Sequence, residues 1–206
     1  MNNNPLRRTR VASCTAVAAL AVSLLAGCSG EAEPPAPPKV GNTAAAPAPD
    51  TAQPLPKSRP TGMRIAAAGV DAGKMVDLKV DPSGELGVPD PNTDANTPGW
   101  WSEGVTPGES GASVLVAHFD TANGPALMKD VKKIKLGDIV EVPREDGRTA
   151  KFKVREIENV GKKDFPTGKV YGDTARRPEL RLLTCGGDIK DGHRTNNIIL
   201  YADLVP

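Results

Sequence analysis

Hydrophobic positions change their pattern twice along the chain. Val11 to Ala26 is apolar except for Ser13, Thr15 and Ser23. From Glu31 to Pro60 large apolar side chains nearly vanish, leaving Val40 and Leu55 among nine prolines and seven alanines. From Arg64 onward, short apolar runs alternate with Gly, Pro, Asn and Asp, the punctuation of a mainly β domain. Extended stretches are expected at Ile65–Val70, around Met75–Val80, at Leu180–Leu183 and at Ile198–Ala202. Ser113–Ala117 is a continuous apolar run, as in a buried strand. Ile139–Val142 and Ala150–Ile157 flank Asp146-Gly147, and Ala150, Phe152 and Val154 alternate with charged residues, which predicts a hairpin. Leu127, Val131 and Ile134 are spaced four and three, predicting a short helix over 125–134 that stops at Gly137. Residues 87–110 are expected as a loop-rich stretch holding Trp100 and Trp101. Many short strands with one or two short helices imply a barrel or sandwich, and no internal repeat is present.

Arg7, Arg8 and Arg10 precede the first apolar run, giving the pattern of a secretory signal. A soluble core helix is the competing reading. The run is short for a membrane span, which needs about 20 residues. It ends Leu25-Ala26-Gly27-Cys28, which resembles the bacterial lipobox. That resemblance implies cleavage after residue 27 and lipid on Cys28; ordinary cleavage would leave Cys28 a free thiol. Arg7-Arg8 faintly resembles a twin-Arg signal, but Thr9-Arg10-Val11 continues it poorly, favouring the general export route. Loss of residues 1–27 removes three arginines and no acid, turning the formal charge from +1 to −2. Membrane attachment would then rest on lipid rather than a basic patch. Residues 28–62 read as a Pro/Ala-rich extracellular tether, too poor in apolar surface to fold alone and reaching on the order of 90 Å if fully polyproline II. It is either a spacer or tolerated filler. Residues 63–206 form the remaining domain.

Composition narrows the function. The chain carries 26 Lys+Arg against 25 Asp+Glu, without the basic excess of a nucleic-acid binder. Aromatic residues make up 3%, so the core must rest on Val, Ile, Leu and Ala. No phosphate-binding loop, C-x-x-C pair or H-E-x-x-H string occurs, and two histidines and three cysteines are few for a zinc site. Cys14 lies in the signal, and Cys28 is its lipidation candidate, so Cys185 is the thiol left to the domain. It is either a buried small hydrophobe or a reactive group. Cys185 ends an apolar run before Gly186-Gly187, and His118 ends the run 113–117. Two strand ends could bring them together, and an imidazole near a thiol favours thiolate. His193 reads as solvated or structural. Arg194, the one arginine after Cys185, can donate to a developing oxyanion or pair with a carboxylate such as Asp191.

Leu182-Leu183-Thr184-Cys185 resembles the sortase L-x-T-C signature, and Val116-Ala117-His118-Phe119-Asp120-Thr121 resembles the sortase histidine segment. Pro107-Gly108-Glu109-Ser110-Gly111, Gly124-Pro125-Ala126, Leu136-Gly137-Asp138, Phe165-Pro166 and Thr184-Cys185-Gly186-Gly187 fit in order and spacing. Together they resemble the class F sortases of high-GC Gram-positive bacteria over residues 63–205. The resemblance implies a mainly β fold, the eight-stranded sortase β-barrel. It implies a transpeptidase that cleaves an LPXTG-type sorting signal after Thr. Cys185 would form the thioester, His118 would act as general acid then base, and Arg194 would stabilise the oxyanion. Thr184 would line the substrate site, and Asn197 could share the donor role. Partners would be sorting-signal proteins and an amine of the cell envelope. The chemistry needs no metal or cofactor. The chain would be a monomer at the outer face of the membrane, anchored through Cys28.

Three positions depart from the family pattern. Ala117 replaces the usual Gly before His. The Arg commonly stands nearer the last strand, where this chain has Thr195, Asn196 and Asn197, so Arg194 serves only if residues 186–197 adjust. The lipid anchor replaces a transmembrane segment. L,D-transpeptidation or cysteine peptidase action is a second enzymatic reading. The L,D-transpeptidase signature sets its His close before the Cys, whereas here the two are 67 residues apart. A non-enzymatic reading is a degenerate sortase-like lipoprotein that holds peptides at the surface.

Overall fold

The computed structural model describes Gly41, residues 43–44, residues 52–172 and residues 176–206. The signal and Cys28 lie outside the described residues. The strands are β1 (Thr43–Ala44), β2 (Met63–Ile65), β3 (Val70–Ala72), β4 (Val76–Leu78), β5 (Gly99–Trp101), β6 (Gly111–Val116), β7 (Asp120–Thr121), β8 (Gly124–Pro125), β9 (Ile139–Pro143), β10 (Thr149–Gly161), β11 (Pro178–Lys190) and β12 (His193–Val205). One α-helix, α1 (Thr167–Tyr171), and three 3₁₀ turns complete the described elements. The main sheet runs β3-β2-β9-β10-β12-β11-β6-β5-β4, with β1 added beside β10. It curls into a mainly β half-barrel, the fold class expected from sequence. It holds more than eight strands because three-residue strands extend both ends.

Alternation explains why the sheet curls around two cores. Along β11, Leu180 and Leu182 face the larger core, whereas Leu183 faces a smaller cluster on the opposite side. Along β12, Ile198, Leu200 and Ala202 face the first, and Ile199 and Tyr201 the second. Side chains alternate between sheet faces with period two, so both strands need apolar residues at consecutive positions. This is why they read as continuous runs. The smaller cluster is covered by Val170 of α1 and by Phe165, Trp101 and Leu86.

The hairpin around Asp146-Gly147 is present as β9 and β10, with Ala150, Phe152 and Val154 buried and Gly147 at φ +79°. The helix expected over 125–134 is absent. Gly124 and Pro125 belong to β8, and consecutive turns end in a 3₁₀ turn at Val131–Lys133. Met128, Val131 and Ile134 are buried all the same. The four-and-three spacing reports burial of one side, which a chain of turns also achieves. The loop-rich stretch contains β5, which buries Trp100, its indole N–H donating to the Val105 carbonyl at 3.1 Å. Helix α1 was not legible, since Thr167-Gly168-Lys169-Val170-Tyr171 is too short to show a period.

The C-terminal part of the expected tether is packed against the domain. The Ala52 amide donates to the Leu204 carbonyl at 3.1 Å and the Leu55 amide to Gly108 at 2.8 Å. Leu55 lies on the larger core. The Arg144 side chain, fully buried, donates to the Pro107 carbonyl at 2.6 Å and to the Pro56 carbonyl. Extended Pro-rich chain keeps its carbonyls free, and a buried guanidinium binds several of them at once. Residues 52–60, expected as part of the tether, therefore pack against the domain, as β1 does beside β10.

Candidate active site

Strand β6 runs parallel to β11, and every pair from Gly111–Pro178 to Val116–Leu183 has an offset of 67 residues. That is the separation of His118 from Cys185. Extending the register two places brings them level, and the Ala117 amide donates to the Leu183 carbonyl at 3.0 Å on the way. Cys185 pairs in turn with Asn197 of β12. Period-two alternation then puts all three on one face: His118 continues Val114 and Val116, Cys185 continues Leu183, and Asn197 precedes Ile199 and Tyr201. This face carries a cleft.

The inner lobe of the cleft holds about 340 Å³ and is lined by His118, Thr184, Cys185 and Asn197 with Val116, Ala117, Leu183, Leu86, Val88, Phe165, Tyr171 and Lys162. An outer lobe of about 620 Å³ continues over Val80, Glu85 and Trp101. Val80, Val88 and Tyr171 are among the few large apolar side chains exposed in the domain, and all line this cleft. Exposed apolar side chains gathered in one groove, with few polar groups, make a binding site for an extended apolar-rich ligand. Trp101 and Tyr171 meet edge to face, with ring centroids 5.8 Å apart.

Cys185 is half-buried and free of disulfide. Burial pushes its thiol upward; Lys162 opposes this most, Asp120 adds to it, and Arg194 opposes it least. An imidazole nitrogen of His118 (Nε2) lies 2.7 Å from the Pro89 carbonyl. A carbonyl only accepts, so Nε2 carries the proton and Nδ1 is the other ring nitrogen available for proton exchange. The Thr184 hydroxyl is buried without a hydrogen-bond partner inside the protein.

Arg194 is placed differently. Its Nε and Nη2 donate to one Asp120 oxygen at 2.9 and 2.6 Å, and Nη1 donates to the Gly187 carbonyl at 2.8 Å. The guanidinium lies over the Phe119 ring, 4.8 Å from its centroid. It lines neither lobe but a neighbouring hollow with Phe119, Asp120 and Ile189. Its carboxylate partner is Asp120, 74 residues away, and not Asp191. Residues 186–197 are not a loose loop. Cys185 lies inside β11 rather than at its end, and a bulge between Gly186 and Ile189 leads to a turn at Asp191 and Gly192, both with positive φ. Bulges re-aim side chains beside functional positions. His193 is exposed on this hairpin. Lys162, Trp101, Phe165 and Tyr171 were not singled out in the sequence as site residues. Only Phe165-Pro166 carried a signal, through the family pattern.

The fold and this cleft define a class: a curled β-sheet protein with a thiol on one strand and an imidazole just beyond the end of its parallel neighbour, both lining one groove. A Sortase domain family model matches residues 73–205, and the chain belongs to the sortase family of cysteine transpeptidases. Among solved structures, sortase C1 of Streptococcus agalactiae in complex with MTSET aligns with TM-score 0.55 at 17% identity, covering 72% of this chain and 70% of that one. A Clostridium perfringens sortase D5 transpeptidase aligns with TM-score 0.51 at 16% identity, covering 70% and 77%. Sortase C1 of Streptococcus suis aligns with TM-score 0.53 at 16% identity, covering 72% and 74%. Among curated proteins none matches the sequence.

Proposed function

We propose that this chain is a class F-type sortase, exported as a lipoprotein and held at the outer face of the cell membrane through Cys28. Its substrate is an LPXTG-type sorting signal, bound extended in the apolar cleft. With the Cys185 proton held on His118 Nδ1, the thiolate sulfur bonds to the Thr carbonyl carbon, the C–N bond breaks, and His118 gives that proton to the leaving amine. A cell-envelope amine then attacks the thioester, neutral His118 takes a proton from it, and the Cys185 thiolate leaves. Thr184 and Asn197 offer hydrogen bonds to the substrate backbone. Arg194, oriented by Asp120, is the candidate hydrogen-bond donor to the oxyanion. The observation that supports this reading most is that His118 and Cys185 line one groove, with the β6–β11 register ending two residues before each.

One observation favours a second reading, a peptide-binding surface module without transfer activity: each of the three Arg194 guanidinium nitrogens donates a hydrogen bond within the protein. Mass analysis of the full chain with an LPXTG-type peptide separates the two, with and without a glycine-based amine. An acyl adduct on the tryptic peptide spanning 182–190, discharged by the amine and absent from Cys185→Ala, is the expected result. A folded chain that forms no adduct with any of several sorting peptides would move the assignment to the binding module.

A further inference from the structure

Three neighbouring strands place one row of residues across the cleft floor. Cys185 of β11 pairs with Asn197 of β12, and Asn197 pairs with Val160 of β10. His118 flanks this row on the β6 side. On the other side β10 ends at Gly161, and the 3₁₀ turn Lys162–Asp164 lifts the chain away toward α1. Lys162 thus stands at the far end of the row, and it lines both lobes together with Cys185.

The charged groups around the sulfur come from three elements: Lys162 from the turn after β10, Asp120 from β7 and Arg194 from β12. His118 and Tyr171 are the remaining titratable groups lining the inner lobe, and Glu85 lines the outer lobe. Asp120 and Arg194 are bonded to each other, so their opposite charges largely cancel at the sulfur. Lys162 is exposed and, among the described residues, is paired with no carboxylate and makes no hydrogen bond. We propose that Lys162 supplies the uncompensated positive charge beside the Cys185 sulfur in the inner lobe, favouring the thiolate and drawing anionic groups toward it. The proposal rests on reading Cys185 as the nucleophile. It assigns the electrostatic task to a lysine on the segment after β10 rather than to Arg194 alone. Both the thiolate and the tetrahedral adduct that follows it are anions, so one fixed cation favours both. Lys162 acts through its field on the sulfur and is a positioning residue in that sense.

The test compares two alkylating probes of similar size, iodoacetate (anionic) and iodoacetamide (neutral). Each forms an S–C bond and releases iodide. Rates are read on the tryptic peptide 182–190 of the full chain, which contains Cys185 alone among the cysteines. The iodoacetate-to-iodoacetamide rate ratio is expected to fall about fivefold in Lys162→Met. The pH of half-maximal iodoacetamide labelling should rise in the same variant. Lys162→Arg should keep both values near those of the parent, and Lys163→Met, on the exposed neighbour outside both lobes, should change neither. Lys162→Gln provides a second neutral variant if Lys162→Met folds poorly. A ratio that moves by less than about twofold in the neutral variants, or that falls equally in Lys163→Met, would overturn the proposal. Alkylation requires no sorting peptide and no acceptor. A responsive ratio in a chain that never transfers would therefore sink the proposed function alone, and an unresponsive ratio in a chain that transfers would sink this proposal alone.

Discussion

Arg144→Met removes the guanidinium that ties residues 52–60 to the domain while keeping most of the apolar stem. The wild-type side chain is fully buried and donates to the carbonyls of Pro107 and Pro56. A hydrogen bond from a charged donor contributes about 1.5–3 kcal/mol net, so two give roughly 3–6. The Pro56 segment can turn toward water once released, which lowers the figure, whereas the Pro107 carbonyl loses its buried partner. The expected cost is about 3–4 kcal/mol. The ion pair with Asp146 faces solvent and is left out of this figure. For a domain of this size each kcal/mol moves Tm by about 2–4 °C, so thermal unfolding of the full chain followed by circular dichroism should shift down by roughly 10 °C. Leu55→Ala loosens the same segment, and combining it with Arg144→Met should cost less than the sum of the two. A Tm decrease below about 3 °C, or full additivity, would refute the claim that this segment is part of the folded unit.

Three further outcomes are expected. Burial holds the Cys185 thiol above its unfolded value of about 8.5, so the native state binds that proton more tightly. The stabilisation is complete below that pH and declines as pH rises above it toward the folded value; the Tm of wild type relative to Cys185→Ala should therefore fall as pH rises past about 8.5, and a rise would contradict the sign. Gly187→Ala puts a Cβ 2.5 Å from the Thr195 hydroxyl at a residue with φ +74°; the bulge after Cys185 must move, and acyl transfer should fall by about a hundredfold with a smaller loss of stability, read by single-turnover adduct formation. Lys169 of α1 bonds Glu156 at 2.5 Å and Glu158 at 3.0 Å and lies over Tyr201, 4.4 Å from the ring centroid; Lys169→Met should loosen the helix that carries Tyr171 and raise KM several-fold with kcat little changed, while an unchanged KM would separate this contact from the cleft.

Much of the sheet was legible because alternation and continuous apolar runs report burial directly. Leu182-Leu183 and Ile198-Ile199-Leu200 mark strands that bury both faces, and Ala150, Phe152 and Val154 mark one that buries a single face. The spacing of Leu127, Val131 and Ile134 reported burial as well, but burial does not distinguish a helix from successive turns. Residues 52–60 misled composition for a related reason. Proline and alanine lack the apolar bulk to fold alone, yet their free carbonyls meet a buried arginine that is 88 residues away from Pro56.

The sequence by itself determined the kind of side chain each strand would carry, the lone thiol left to the domain, and the family pattern around Cys185 and His118. Their neighbourhood was decided by the pairing of β6 with β11. A parallel register is set by strands far apart in the chain, and no local signal encodes its offset. The partners of charge were likewise tertiary. Asp120 reaches Arg194 across 74 residues, and Lys162 enters the cleft because β10 ends beside Asn197. Local sequence specifies whether a residue is apolar, charged or turning. Which charges cancel and which remain at the sulfur depends on distances that exist only after the sheet has closed around its cores.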